Sequence, residues 1–456
     1  MHAATRMTEG SIAGQMFRFM VPLFIGNLFQ QLYNTADALI VGRLLGNQAL
    51  AAVTGTGNLI FLMVSLFSGI ASGAGVVISR YYGGREPEKL QTAIHTSLAF
   101  GLAAAAILTV LGTCFTPALL RWMDTPADVM AASVEYVGIY FAGSLSLVMY
   151  NTFRGIMQAV GDSRSPLLFL IVSSVTNVVL DVVFLKYVYA GVGSAAVATI
   201  LSQLFSALLC MGRLLRADPE YRISLRKIRF DWPMLRQIVA FGLPSGLQFS
   251  VIGFANVVVQ AHINAFGTMA VAGCGAYNKI EGFVFLPVDS LGLTLSTFVS
   301  QNLGAQQYER ARKGSRIGMV WLVAMAELVG VIVWLLAPEL ISLFTDEPEA
   351  ITYGVDRTRS CVLFYFLMAI SNGLAAVLRG AGKALVPMAV ILSSWCVLRV
   401  LILEIAVPML QSIAVVYWVY PITWVFTALF LLLYYWRADW VHTFERKRRA
   451  SELCQS

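Results

Sequence analysis

Two aspartates set in otherwise apolar stretches are the residues most able to do chemistry in this chain: Asp37 in QQLYNTADALIVGR and Asp181 in SSVTNVVLDVVFLKY. Each follows a polar residue by four positions, Tyr33 before Asp37 and Asn177 before Asp181. On a helix that spacing puts both members on one face. A carboxylate in an apolar medium is costly, and it is retained mainly where it serves an ion or proton path. Two carboxylates in one dry pocket also repel, so the site is expected to take a proton. Sodium is the alternative occupant, because the side chains of Asp37, Asn177 and Asp181 offer hard oxygen ligands. A purely structural use, as polar glue between packed helices, is the competing reading.

The elements that must position these groups are membrane spans. Hydrophobic residues make up 58% of the 456 positions, charged residues only 12%, and the mean hydropathy is +0.73, where soluble domains carry roughly 25% charged residues. Apolar stretches long enough to cross a bilayer recur about twelve times, near 17–41, 49–79, 92–116, 131–158, 166–188, 192–215, 236–264, 270–301, 316–337, 352–378, 386–408 and 412–436. The fold class is therefore an all-α integral membrane protein. The polar N-terminal stretch MHAATRMTEGSIAGQ has no cleavable signal pattern, so the first span is expected to be retained. Six scattered cysteines, Cys114, Cys210, Cys274, Cys361, Cys396 and Cys454, show no CxxC spacing and read as packing residues.

Shifted by 221 positions, the chain matches itself: Gly46, Ala49, Ser79, Gly83, Asn151, Gly161 and Pro166 fall on Gly267, Ala270, Ser300, Gly304, Asn372, Gly382 and Pro387, while Pro22 pairs with Pro244 after a one-residue slip. A repeat this long in an apolar chain suggests a transporter of two equivalent halves. The expected organisation is a six-helix lobe at 1–216, a cytoplasmic linker at 217–232, a second six-helix lobe at 233–437 and a basic tail at 438–456. An even number of spans per half makes the repeat parallel, with a pseudo-twofold axis along the membrane normal. With the N-terminus inside, 25 of the 32 Lys and Arg face inward, so both termini are expected in the cytoplasm of a cell-membrane protein. The net charge of +7 then reflects contact with the lipid bilayer. Without an aromatic-interleaved basic patch, it does not point to nucleic acid.

Motifs for ATP-driven or enzymatic work are missing. RGAGKALVP at 379–387 lacks phosphate-loop spacing, and GVGSAA at 191–196 opens an apolar span instead of joining a strand to a helix. The chain is expected to be no enzyme, to need no cofactor, and to draw on an ion gradient. The position matching Asp37 is Val258 or Val259, and the one matching Asp181 is Ile402, so the ion site belongs to the first half. The second half has its own polar set, Asn256, Gln260, His262, Glu281, Asp289, Arg399 and Glu404. Glu281 or Asp289 is expected to face cations from the cavity wall, unless either pairs with Arg399 or Lys279. His262 reads as a packing histidine. Pro22, on the span that carries Asp37, can couple ion occupancy to helix shape, and Gly69 with Gly73 forms a GxxxG packing face.

VPLFIGNLFQQLYNTADALIVGRLLGNQALAAV, SRYYGGRE with its counterpart SQNLGAQQ, and the pair GIMQAVGDSRSP and AVLRGAGKALVP together resemble the multidrug and toxic compound extrusion (MATE) family. The resemblance covers nearly the whole chain. It implies a MATE-type fold of about twelve helices around a V-shaped cavity, and export of small-molecule amphipathic cations, including antibiotics, in exchange for protons or sodium. Tyr33, Asp37, Asn177, Asp181 and Thr199, with Pro22 as the kink-forming proline, match the family's DinF-like branch in type and spacing, which implies that the first lobe holds the coupling site. Arg399 and Asp289 depart from that branch's pattern. A monomer is expected. The alternative within the same superfamily is a flippase for lipid-linked oligosaccharide or peptidoglycan precursors, which would need several cationic side chains in the cavity, where only Lys279 and Arg399 qualify. An unrelated facilitator would carry a different loop signature from RYYGGREPEKL.

Overall fold

Apolar runs of twenty or more residues have one way to satisfy their backbone in lipid, as helices. The computed structural model describes residues 6–123, 125–188 and 191–442, and all the regular structure among them is helical. Most of the expected tail, with Arg446, Lys447, Arg448, Arg449 and Cys454, lies outside the described residues, as do residues 1–5. Eleven helices among the described residues are long and apolar enough to cross a membrane, or twelve if one bent pair is a single span. The expectation of an all-helical, multi-pass membrane protein holds.

The chain divides into two compact units. The first holds Arg6 and Val21–Gly246, the second Met7–Met20 and residues from Leu247 onward. The division passes through α1 (Ile12–Leu45) next to Pro22 and through α9 (Trp232–Asn264) near Pro244, the proline pair of the repeat. It does not fall in the polar stretch at 217–232, for a local reason: that stretch is pinned to the first unit. Gln91 Nε2 donates to the carbonyls of Glu220 at 2.9 Å and Arg222 at 3.2 Å. His95 Nε2 accepts the Ser224 N–H at 3.0 Å while Nδ1 bonds the Gln91 carbonyl at 2.8 Å, a pattern that assigns the proton to Nδ1. Arg6 pairs with Glu220 at 2.6 Å and stacks on the Tyr82 ring.

Within the first unit run α2 (Asn47–Gly55), α3 (Gly57–Gly83), α4 (Pro87–Trp122), α5 (Ala127–Ala142), α6 (Ser144–Ala159), α7 (Arg164–Val183) and α8 (Val192–Leu215). The bent pair is α5 and α6, which meet at Gly143 at an angle of 50°. A side chain at Gly143 would fall on Ile200 of α8, so the break lets α8 press into the gap. Gly69 and Gly73 of α3 serve as the sequence suggests. A Cβ on either would meet the backbone of α9 at Gly246 or Gly242, so two small-residue faces lie backbone to backbone.

The second unit contains α10 (Thr268–Gly304), α11 (Tyr308–Leu335), α12 (Ala337–Ser342), α13 (Pro348–Cys361), α14 (Tyr365–Gly380), α15 (Leu385–Ile391), a π-helical turn at Leu392–Leu398, α16 (Arg399–Leu410) and α17 (Ala414–Arg437). Met7–Met20 is fastened here, with the Arg310 guanidinium donating to the carbonyls of Met7, Glu9 and Gly10.

The repeat is written into the backbone as well as the sequence. The left-handed residues Gly46, Arg85 and Gly161 have φ of 86°, 53° and 88°, and their mates Gly267, Gln306 and Gly382 have 97°, 60° and 73°. Asn151 and Asn372 donate to the carbonyls four residues back, at 2.9 and 3.1 Å.

The α3/α9 contact generates a stability prediction. Gly73→Ala forces a methyl into backbone and is expected to destabilise the protein by about 1–3 kcal/mol. Gly75→Ala, whose added methyl meets nothing within 4 Å, should leave the midpoint of thermal unfolding in detergent unchanged.

Candidate functional site

Helix periodicity brings the predicted polar residues of the first unit to one place. Asp37 and Tyr33 stand one turn apart on α1, Asn177 and Asp181 one turn apart on α7, and Thr199 comes from α8. Asp181 and Asn177 are fully buried and Asp37 is 8% exposed. Asp37 and Asp181 are close enough for each to feel the other's charge. The Asn177 amide donates to Thr199 Oγ1 at a long 3.5 Å, and the Tyr33 hydroxyl approaches the same threonine.

What defines the cluster is an excess of acceptors. Asp37 Oδ1, Asn177 Oδ1 and both carboxylate oxygens of Asp181 are buried without a hydrogen-bond partner, and among the described residues no Lys, Arg or His forms an ion pair with either acid. Unpaired buried acceptors cost roughly 1–3 kcal/mol each, more when charged. A proton shared between the two carboxyls, or a small cation among the oxygens, removes that cost. The donor set fits sodium, which prefers hard oxygen ligands, and no group of three or more His, Cys, Asp or Glu among the described residues suggests a transition metal.

Sequence reasoning missed the aromatic wall of this site. Tyr136 and Tyr140 of α5 stack with ring centroids 6.3 Å apart, both close enough to Tyr33 to share its electrostatic surroundings, and Tyr140 reaches Gln203 of α8. Their one-turn spacing was visible, but nothing local says that α5 faces α1 and α7. Pro22 lies inside α1, which continues through it as one helix.

In the second unit the predicted set separates. Glu281 and Arg399 come together with Arg357, a residue within the stretch 352–378 that sequence reasoning did not single out. Glu281 Oε1 accepts from the Tyr277 hydroxyl at 2.7 Å, which contacts the Tyr365 hydroxyl at 3.1 Å. Asp289 stands elsewhere and shares its surroundings with Arg379. Gln260 donates to Asn264 at 2.8 Å, Asn256 is exposed, and His262 bonds the Val258 carbonyl at 3.0 Å with Glu404 3.8 Å away. Apart from these clusters, α3, α4 and α6 of the first unit leave a small apolar crevice of about 40 Å³, lined by Phe67, Phe100, Leu147 and Ile156, with Asn151 and Thr152 as polar points.

A family model described as MatE matches the chain twice, at residues 22–183 and 244–405. The "Probable multidrug resistance protein YoeA" of Bacillus subtilis (strain 168) is 28% identical over 447 residues, spanning 92% of this chain and 96% of that protein. Among solved structures, an outward-facing multidrug resistance MATE family transporter of the MOP superfamily aligns over 100% of this chain and 99% of its own, with a TM-score of 0.88 and 23% identity. A MOP superfamily transporter from Pyrococcus furiosus Vc1, for which reverse polarity of the binding pocket suggested a different function, aligns over 97% and 99% with a TM-score of 0.89 and 23% identity.

Dicyclohexylcarbodiimide, which modifies protonated carboxyls in apolar surroundings, tests the shared proton. At neutral pH it is expected to label Asp37 or Asp181, seen by mass spectrometry of peptides from α1 and α7. In the double variant Asp37→Asn/Asp181→Asn that label should vanish, and unlabelled wild-type peptides would mean that the pair stays ionised.

Proposed function

Because this chain belongs to the MatE family, and so is a multi-pass membrane transporter and not an enzyme, we propose that it is a secondary active multidrug efflux transporter. Its cargo is a small amphipathic compound, often cationic, exported in antiport with a proton, by alternating exposure of its binding site to the two sides of the cell membrane. The multidrug resistance names of its relatives support the cargo class. The observation that carries the coupling is the Asp37/Asp181 pair, buried with four acceptor atoms unpaired in its cluster and no basic partner among the described residues.

Protonation of that pair biases the equilibrium between inward and outward openings only to the extent that the two states bind the proton differently. An elementary charge crossing 100 mV releases about 2.3 kcal/mol, enough for a modest concentration gradient with one or two protons per cargo. Tyr33, Asn177 and Thr199 position the acids and would complete a sodium site if sodium is the coupling ion. The placement follows the DinF-like pattern, with lobes at 1–216 and 233–437 joined through 217–232, a monomer, and both termini cytoplasmic.

Reconstitution in liposomes tests the proposal. Efflux of a fluorescent organic cation is expected to follow an imposed proton gradient, and Asp37→Asn or Asp181→Asn to slow it roughly tenfold or more, a loss of at least about 1.4 kcal/mol. A sodium gradient acting in place of protons would reassign the ion. Transport indifferent to both gradients, or undiminished in the double variant, would refute antiport at this site.

A further inference from the structure

The second unit carries the opposite defect to the first. Arg357 and Arg399 are 2% and 3% exposed, and among the described residues neither forms an ion pair. Arg357 Nε and Nη1 and Arg399 Nε have no hydrogen-bond partner, and the same holds for Trp395 Nε1 and the Tyr417 hydroxyl nearby. The four nitrogens can only donate, and the Tyr417 hydroxyl can donate as well as accept. Their excess mirrors the acceptor excess around Asp37.

Both guanidiniums pack on one ring. Arg399 stands 4.2 Å and Arg357 5.3 Å from the Tyr420 ring centroid, and Arg357 Nη2 donates to the Tyr420 hydroxyl at 3.4 Å. Arg399 Nη2 donates to Thr423 at 3.0 Å. Cation–π contact returns only part of what burying an ion costs. Glu281 offsets one charge at most, and one of its oxygens already accepts from Tyr277. One positive charge and several aimed donors remain. Glu281, Trp395 and Tyr420 are only half-buried, so the cluster reaches the accessible surface.

The repeat gives the cluster its meaning. Arg357 stands 221 positions after Tyr136, which flanks the acid pair, and Arg399 stands 221 positions after Val178, next to Asn177. The two clusters thus occupy equivalent places in the two copies, with reversed charge. We infer that α10, α13, α16 and α17 with the turn at Leu392–Leu398 build a second site, one that binds an oxyanion, the carboxylate or phosphate group of a bound molecule, between Arg357 and Arg399. Guanidinium donors match such groups in geometry and charge.

The experiment uses the full-length protein in phosphatidylcholine nanodiscs, with unfolding followed against potassium phosphate or acetate and with chloride matching ionic strength. Saturable stabilisation by either oxyanion is expected, tightened roughly threefold or more in Glu281→Gln and lost in Arg357→Gln/Arg399→Gln. If the arginine variant does not fold, Glu281→Gln decides: an affinity unchanged or weakened overturns the inference, as does a response no larger than that to chloride. Nanodiscs with phosphatidylglycerol separate two sources of the group. A phosphate response that persists there indicates a soluble oxyanion, and one replaced by constant stabilisation indicates a lipid headgroup. The response should survive Asp37→Asn/Asp181→Asn, so its failure is distinct from failure of proton coupling.

Discussion

Two carboxylates held together away from water, with no cation among the described residues paired to them, set the terms for the first unit. Each ion taken from water into an apolar interior costs several kcal/mol, and Asp181 is fully buried with both oxygens unpaired. Folding can tolerate this because the acids can share a proton or hold a small cation. A site that must be filled to be stable is one whose filling and emptying can shift a conformational equilibrium. Much of the unit's detail serves to hold that site. Tyr33 and Asn177 lie one helical turn from the acids, Thr199 closes the third side, and the tyrosines of α5 form the wall.

The internal repeat conserves scaffold and not chemistry. Left-handed turns at Gly46 and Gly267, Arg85 and Gln306, and Gly161 and Gly382 recur because a chain that must reverse between helices needs the same backbone at the same places. Side chains between those turns are free to diverge. Around Asp37 and Asp181 they leave acceptors without donors, and around Arg357 and Arg399 they leave donors without acceptors. The same helical frame thereby offers two kinds of electrostatic surroundings.

Much of the candidate site was legible in the sequence. Asp37 and Asp181 stood out because charge is rare in apolar spans, and Tyr33 and Asn177 followed from helical spacing. Arg357 did not stand out, although it falls inside the stretch 352–378 that reads as a span, because its surroundings are built by Tyr277 and Tyr420, which are 80 and 63 residues away. Tyr136 and Tyr140 were invisible for a similar reason: an aromatic pair one turn apart says that a helix has a face, not what it faces. The stretch at 217–232 reads as a linker between the halves, and the sequence does not show that Gln91 and His95 bond its backbone.

By itself the sequence determined the membrane class, an approximate number of spans, the twofold repeat and the acids on which coupling is proposed to rest, because hydropathy, periodicity and the rarity of buried charge are local properties of the chain. Only the tertiary structure decided that Asp37 and Asp181 meet, that α5 breaks at Gly143 to admit Ile200, that α3 and α9 touch through glycine backbones, and that Arg357 and Arg399 share the Tyr420 ring. Those facts depend on which helix faces are brought together, and a helix face is specified by packing partners that lie tens to hundreds of residues away.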